Sequence, residues 1–289
     1  MVEGARHPPM APYHGAMLLL VDLDGVVYRG PEPVPGVAGV LAERVAAGDT
    51  VLYCTNNSSR HRSEYVQHLE ELGAPVRPDW IFTSARATAL ELAASEPPPR
   101  VVMVLGARGL VRELRDVGLR TVPPTPRGLA ADPDAVVVGI DRRLTYQRLA
   151  VAMQAIREGA RFIATNRDPV YPTADGLVPG AGSMVAALET AARRPPDLVV
   201  GKPGPTLFET AARSVGRDPA DAVVIGDGAL TDIAAANRVG ARSVLMLTGV
   251  TSRAEAESLP PERRPTLIAT DAAELRSALA GIEAEQAGH

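Results

Sequence analysis

Residues 17–30 read MLLLVDLDGVVYRG, an uninterrupted apolar run from Met17 to Val21 that opens directly onto Asp22-Leu23-Asp24-Gly25. An apolar run without alternation suits a strand buried on both faces, as in a parallel sheet covered by helices. Side chains at i and i+2 of an extended chain face the same side. Asp22 and Asp24 are therefore expected together at the carboxyl end of this strand, where open α/β sheets bind ligands. Two carboxylates so placed repel, and they are tolerated best with a cation between them or a proton on one. Asp-rich turns after strands are also common, so the motif alone leaves an ordinary turn open.

Further short Val/Leu/Ile runs follow at 51–55, 101–105, 135–140, 161–165, 198–200, 223–227 and 243–248. Amphipathic stretches lie between them at 36–48, 63–73, 109–118, 145–159 and 205–216, most ending in a glycine suited to a helix C-terminus. Strand–helix alternation of this kind predicts the α/β class with a parallel sheet. Proline-rich stretches at 96–99 and 194–196 suit linkers. They predict a domain inserted over 96–196 into an outer domain made of 1–95 and 197–289; a single continuous sheet with proline-bearing loops is the alternative.

The composition, 46% hydrophobic, 22% charged and only 3% aromatic over 289 residues, is that of a globular chain with a Val/Leu/Ile/Ala core. A net charge of −4 without basic runs predicts neither a nucleic-acid nor a membrane partner. The single cysteine, Cys54, cannot form an internal disulfide, and the apolar run 17–21 is too short for a signal or membrane segment, so a cytoplasmic location is expected; the expected assembly is a monomer or homodimer. Lys202 is the only lysine among thirty basic residues. Either a point charge is required there or codon bias left one survivor.

Three more clusters follow strands. Thr55, Asn56, Asn57 and the serines after them can donate to phosphate oxygens, or can cap the next helix. Lys202 sits in the turn Val200-Gly201-Lys202-Pro203-Gly204, from which it can neutralise an anion or an aspartate. The run 222–225 ends in GDGALTDI, where Asp227 can complete an oxygen set for Mg²⁺, and Asp232 can join it or complement the following helix.

In this order, the motifs resemble those of the haloacid dehalogenase-like phosphatases: an aspartate pair after the first strand, Thr after the second, then Lys, then acidic residues. The resemblance extends over nearly the whole chain. The insertion is similar to the large α/β type-2 cap of the phosphoglycolate phosphatase and p-nitrophenylphosphatase branch, as are 55–60 (TNNSSR), 164–172 (ATNRDPVYP), 178–191 (VPGAGSMVAALETA) and 199–209 (VVGKPGPTLFE). Gly228 and Ala229 depart from the bulkier or polar residues usual there.

The resemblance implies a Rossmann-like doubly wound parallel-sheet core with an inserted α/β cap domain. It implies a Mg²⁺-dependent phosphatase in which Asp22 is the nucleophile and Asp24 the general acid and base. Mg²⁺ would be held by Asp22, the Asp24 backbone carbonyl and Asp227, with Asp232 beside them. Thr55, Asn56, Asn57 and Lys202 would bind the phosphoryl group, and the cap segment with Asn166, Arg167, Asp168 and Tyr171 would read the leaving group. The expected substrate is a small phosphorylated metabolite such as glycerol 3-phosphate or 2-phosphoglycolate. Sugar phosphates, nucleotides and pyridoxal phosphate are the alternatives within the family, although pyridoxal-phosphate-specific relatives carry His at the place of Tyr171. A phosphoacceptor signalling domain of the receiver type is the rival from another class, and a dinucleotide-binding enzyme lacks a complete G-x-G-x-x-G. His61 and His68 are expected on a solvated helix face, His7 and His14 in an arm before the first strand, and Cys54 as a small apolar filler.

Overall fold

The computed structural model describes residues 16–173 and 176–287; the expected arm with His7 and His14 lies outside them. Two separate parallel sheets form. The larger has six strands in the order Leu267–Ala269, Arg242–Met246, Ala222–Gly226, Leu18–Val21, Thr50–Thr55, Ile81–Thr83. The smaller has five, in the order Leu198–Val199, Arg161–Ala164, Ala135–Val138, Val102–Leu105, Thr121–Val122. With its parallel strands and covering helices, the molecule is a Rossmann-like α/β structure.

Residues 18–21 are fully buried, as a two-sided strand requires. Leu19 and Val21 join Val51, Tyr53, Val223 and Ile225 on one face, beneath helices Val37–Ala46 and Ala272–Ala287. Leu18 and Leu20 join Leu52, Cys54 and Val224 on the other, against Leu207, Phe208 and Ala211 of helix Thr206–Ser214. Each leucine so buried contributes about 1.5–3 kcal/mol relative to exposure. Leu18–Val21 lies at the switch point of the sheet: the chain first builds outward to Ile81–Thr83, then returns to add Ala222–Gly226 on the other side. Ligand sites form beyond the carboxyl ends of strands at such a crevice.

The second of these clusters does not stop at the larger sheet. It continues through Ala85, Ala89 and Leu92 of helix Ser84–Ala94 and Leu110 and Leu114 of helix Arg108–Asp116 to Val102, Val104, Val137 and Ile163 of the smaller sheet. Leu198 and Val199 are paired with Ile163 and Ala164 of the smaller sheet. The prolines at 195 and 196 follow the end of helix Ala181–Ala192, where Arg193 takes a left-handed conformation, and the chain leaves the smaller sheet only after one more strand. No helix among the described residues is long and apolar enough to cross a membrane.

Candidate active site

The carboxyl ends of Leu18–Val21, Thr50–Thr55 and Ala222–Gly226 converge, and the Asp22 N–H donates to the Ile225 carbonyl at 2.8 Å, extending the pairing by one residue. That bond places Asp22 beside the turn that carries Asp227 and Asp232. Carboxylate oxygens of Asp22, Asp227 and Asp232 all lie within 4.8 Å of one another. Lys202 enters from the turn after Leu198–Val199. Its ammonium donates to Asp22 Oδ1 at 2.5 Å, to Asp232 Oδ1 at 2.6 Å and to the Cys54 carbonyl at 2.9 Å. The sole lysine thus spends its three protons on three acceptors grouped around one point, a geometry suited to an ammonium.

The acidic turn is held from several directions. Asp227 Oδ2 accepts from the Val250 N–H at 2.7 Å. Gly25, at φ +88°, and Gly249 both lie so close that a Cβ on either would overlap the Asp227 carboxylate. Thr248 Oγ1 donates to the Gly25 carbonyl at 2.6 Å, tying the two loops together. Asp232 lies in a π-helical turn, Ala229–Ile233, and its Oδ2 accepts from the Gly228 N–H at 3.0 Å while Oδ1 faces Lys202. Asp232 therefore braces its own turn and faces the charged centre.

Electrostatics follow from this burial. Asp22 is 9% exposed, Asp227 5% and Asp232 2%. Burial holds the Asp22 carboxyl well above the usual carboxylate range, against the Lys202 ammonium, while the charges of Asp232 and Asp227 push it further up. Asp227 is pushed up to about 6 by burial and then by Asp232. The Lys202 ammonium is held above its usual range because the two aspartates outweigh its burial. Three buried carboxylates with one ammonium leave an excess of negative charge, and that donor set of hard oxygens fits a divalent cation such as Mg²⁺.

Asp24 behaves differently from the expectation of a parallel pair. The chain turns immediately after Asp22, with the Val27 N–H donating to the Leu23 carbonyl at 2.9 Å, and Asp24 is exposed at the mouth of the site. Among the described residues its carboxylate is not part of the Asp22 cluster. Nearby protein raises the Asp24 carboxyl by desolvation, opposed by backbone hydrogen bonds from Gly30 and Gly25 and by the Arg29 charge. Geometry thus puts one acid deep in the site and the other at its opening.

Thr55 is buried at the strand end, where its hydroxyl accepts from the Asn57 N–H at 3.2 Å. The Asn56 side chain does not face an open site. Its Oδ1 accepts from the Lys202 N–H at 2.8 Å, and its amide donates to the Lys202 carbonyl at 2.8 Å and to Asp168 at 3.0 Å. Asn56 is a clamp that fixes the Lys202 turn against Asp168, and Asn166 adds a bond from its own amide to the Asn56 carbonyl at 2.7 Å. Asn57 donates to the Tyr171 hydroxyl at 3.0 Å, joining the loop after Thr55 to the hairpin Val170–Thr173 and Gly176–Pro179.

One expectation fails outright. His61 is not on a solvated face: it is 3% exposed, with Nε2 2.9 Å from Asp116 and Nδ1 2.8 Å from Ser63. The Arg62 N–H donates to the fully buried Glu113 at 2.8 Å, and its guanidinium binds both Glu113 and Asp116. These acids come from helix Arg108–Asp116, some fifty residues along the chain, so no local pattern announced them. His68 packs edge-on against Tyr28, with ring centroids 4.8 Å apart. Cys54 is a buried filler as expected, its thiol pushed up by burial. Sequence reading passed over Gly25, Thr248, Gly249 and Tyr28; the glycine of the D-L-D-G run was the one available signal.

Comparison with known proteins accords with this geometry. The family model described as haloacid dehalogenase-like hydrolase matches residues 19–120, and a second model of HAD-like hydrolases matches residues 199–275. The chain is 42% identical over 254 residues to a D-glycerol 3-phosphate phosphatase of Mycobacterium tuberculosis, covering 88% of this chain and 69% of that protein. A crystal structure of glycerol phosphate phosphatase from Mycobacterium tuberculosis in complex with magnesium superposes with a TM-score of 0.80 at 41% identity, covering 90% of this chain and 76% of the other. A p-nitrophenyl phosphatase from Archaeoglobus fulgidus superposes with a TM-score of 0.83 at 31% identity, covering 92% of this chain and all of the other. With most of its length matched by these models and relatives, the chain belongs to the haloacid dehalogenase-like hydrolases.

Proposed function

We propose that this protein is a Mg²⁺-dependent phosphatase of small phosphomonoesters that works through a phosphorylated Asp22. The observation that carries the reading is the buried Asp22–Lys202–Asp232 arrangement with Asp227 alongside, at the switch point of the sheet. Asp22, Asp227 and Asp232 would hold the metal, directly or through water, and Asp24 would contribute its backbone carbonyl. Bound there, Mg²⁺ offsets the repulsion between an anionic nucleophile and an anionic phosphoryl group. Asp22 Oδ attacks phosphorus as the bond to the leaving oxygen breaks, and Asp24 gives that oxygen its proton. Asp24 then takes a proton from water, whose oxygen attacks phosphorus and breaks the Asp22–phosphorus bond to release phosphate. A carboxyl raised above its usual range at the site mouth suits the first role, and exposure to solvent suits the second. Thr55 and Asn57 would bind phosphoryl oxygens, Lys202 would supply the adjacent positive charge, and Asn56 would position Lys202.

The names of two relatives favour a small ester such as glycerol 3-phosphate, and 2-phosphoglycolate is a second candidate of the same size. The segment 96–196 would act as the cap over the site, with Tyr171 reading the leaving group, and the lone buried cysteine accords with a reducing, cytoplasmic setting. The test is phosphate release from a panel of monoesters with Mg²⁺ and with chelator, in parallel for the native protein and Asp22→Asn. Turnover that requires Mg²⁺ and disappears in a folded Asp22→Asn protein is expected; substantial release by that variant would overturn the assignment of the nucleophile.

A further inference from the structure

A cavity of about 460 Å³ lies beside the hairpin that carries Tyr171, lined among others by Arg60, Arg108, Asp141, Arg142, Arg143 and Tyr171. Its size is that of a small-ligand site. None of the four guanidinium groups has an ion-pair partner among the described residues. Several arginines elsewhere do find acids, Arg44 with Asp49, Arg100 with Asp134, Arg213 with Glu91 and Arg276 with Glu43. The one acid in the wall, Asp141, is 2% exposed and already engaged, by Arg148 Nη2 at 2.5 Å and by the Arg143 N–H at 2.9 Å. The cavity therefore concentrates four unneutralised cations in a chain whose net charge is −4. Mutual repulsion makes such a cluster unfavourable until an anion enters it.

The cavity also adjoins the candidate catalytic centre. Tyr171 in its wall accepts a hydrogen bond from Asn57 Nδ2 at 3.0 Å, and Asn57 Oδ1 accepts from the Ser59 N–H at 2.9 Å, with Ser59 itself in the wall. The Tyr28 phenol lies near enough to feel the charges of Asp22, Asp24, Arg60 and Tyr171 together. A monoester whose phosphoryl group meets Asp22 would extend its leaving group toward this basic wall.

We propose that the arginine-lined cavity selects substrates whose leaving group carries a negative charge of its own, a carboxylate or a second phosphate, over esters of uncharged alcohols. Guanidinium groups bind both anions through paired N–H donors. This rests on the phosphatase reading and narrows its substrate class. The experiment compares 2-phosphoglycolate, a small polyol bisphosphate and glycerol 3-phosphate with Mg²⁺, as kcat/KM in the native protein and as Kd in Asp22→Asn, which binds without turnover. At least one charged-leaving-group ester is expected to be favoured by about tenfold or more, the preference shrinking as salt is raised. The carboxylate and bisphosphate arms distinguish the two sources of charge.

Replacing two of the four exposed arginines, Arg142→Ala with Arg143→Ala, should lower kcat/KM for the favoured ester about tenfold more than for glycerol 3-phosphate, chiefly through KM. Arg142→Lys with Arg143→Lys should restore most of the difference. Equal or better use of glycerol 3-phosphate by the native protein, or an unchanged ratio in the double alanine variant, overturns the proposal. Those outcomes leave the phosphatase reading standing. Absence of turnover on every ester would sink that reading instead, while the Kd ratio in Asp22→Asn would still decide the role of the cavity.

Discussion

Lys202→Met removes one ammonium group and keeps most of the aliphatic volume, which makes its consequence calculable from the site. In the native arrangement the ammonium lies 2.5 Å from Asp22 and 2.6 Å from Asp232, in a pocket where it is 3% exposed. Its loss leaves three buried carboxylates with no cation. Breaking a buried pair by removing one partner costs about 3–5 kcal/mol, a large fraction of the roughly 5–15 kcal/mol by which a domain is stable. One aspartate can escape by taking up a proton, so the cost should be greatest at alkaline pH and smaller under mildly acidic conditions. Added Mg²⁺ should return part of it by supplying the missing charge. Urea denaturation with chelator at pH near 8 and near 5.5, then with Mg²⁺, reads all three effects. A variant within about 0.5 kcal/mol of the native protein at alkaline pH in chelator would show that Lys202 does not neutralise these acids, since surface substitutions alone give changes of that size. Turnover should fall by about 10²-fold or more, the usual loss on deleting a charge-stabilising donor.

Other outcomes follow from the same geometry. Lys202→Arg should also be severely impaired, because a planar fork cannot meet three acceptors around one point; steady-state kinetics near the native values would contradict this. Gly249→Ala forces a methyl group against the Asp227 carboxylate, and the Mg²⁺ concentration giving half-maximal activity should rise about tenfold or more while the far-ultraviolet spectrum stays native. The pH dependence of the metal-free protein has a definite sign. With Asp227 raised to about 6 when folded and about 3.9 when unfolded, the folded state holds a proton that the unfolded state releases between those values. Stability in chelator should therefore fall as pH rises from about 4 to 6, while Mg²⁺ affinity rises over the same interval because the cation displaces that proton. Denaturation and calorimetric titration across that interval test both slopes.

The fold was largely legible because its decisive signals are local. A continuous apolar run has to be covered on both sides, and residues 17–21, 51–55 and 223–227 fall within or beside buried parallel strands. Ile81–Thr83 and helix Ser84–Ala94 escaped notice for the opposite reason. The strand has three residues, and the helix buries Ser84, Ala85, Ala87, Thr88, Ala89 and Leu92, so no single apolar stripe marks it. The prolines at 195 and 196 suggested a linker because proline stiffens the chain and lacks an N–H, whereas strand pairing with Arg161–Ala164 carries the chain along the smaller sheet through Val199.

The same division runs through the site. Sequence pointed to Asp22, Thr55, Asp227 and Asp232 because acids and hydroxyls placed directly after buried strands of one parallel sheet emerge at one edge, and to Lys202 as the solitary lysine, although the strand before it pairs in the smaller sheet. It did not determine the depth or the partners of any of them. Asp24 lies at the mouth because the backbone turns after Asp22, and Asn56 clamps the Lys202 turn through contacts 146 residues apart in the chain. His61 is buried by acids from a distant helix, and the four cavity arginines come from three separate segments. Strand periodicity is a property of neighbours along the chain, whereas burial, charge pairing and cavity shape depend on which distant segments the fold packs together, and only the tertiary structure supplies that.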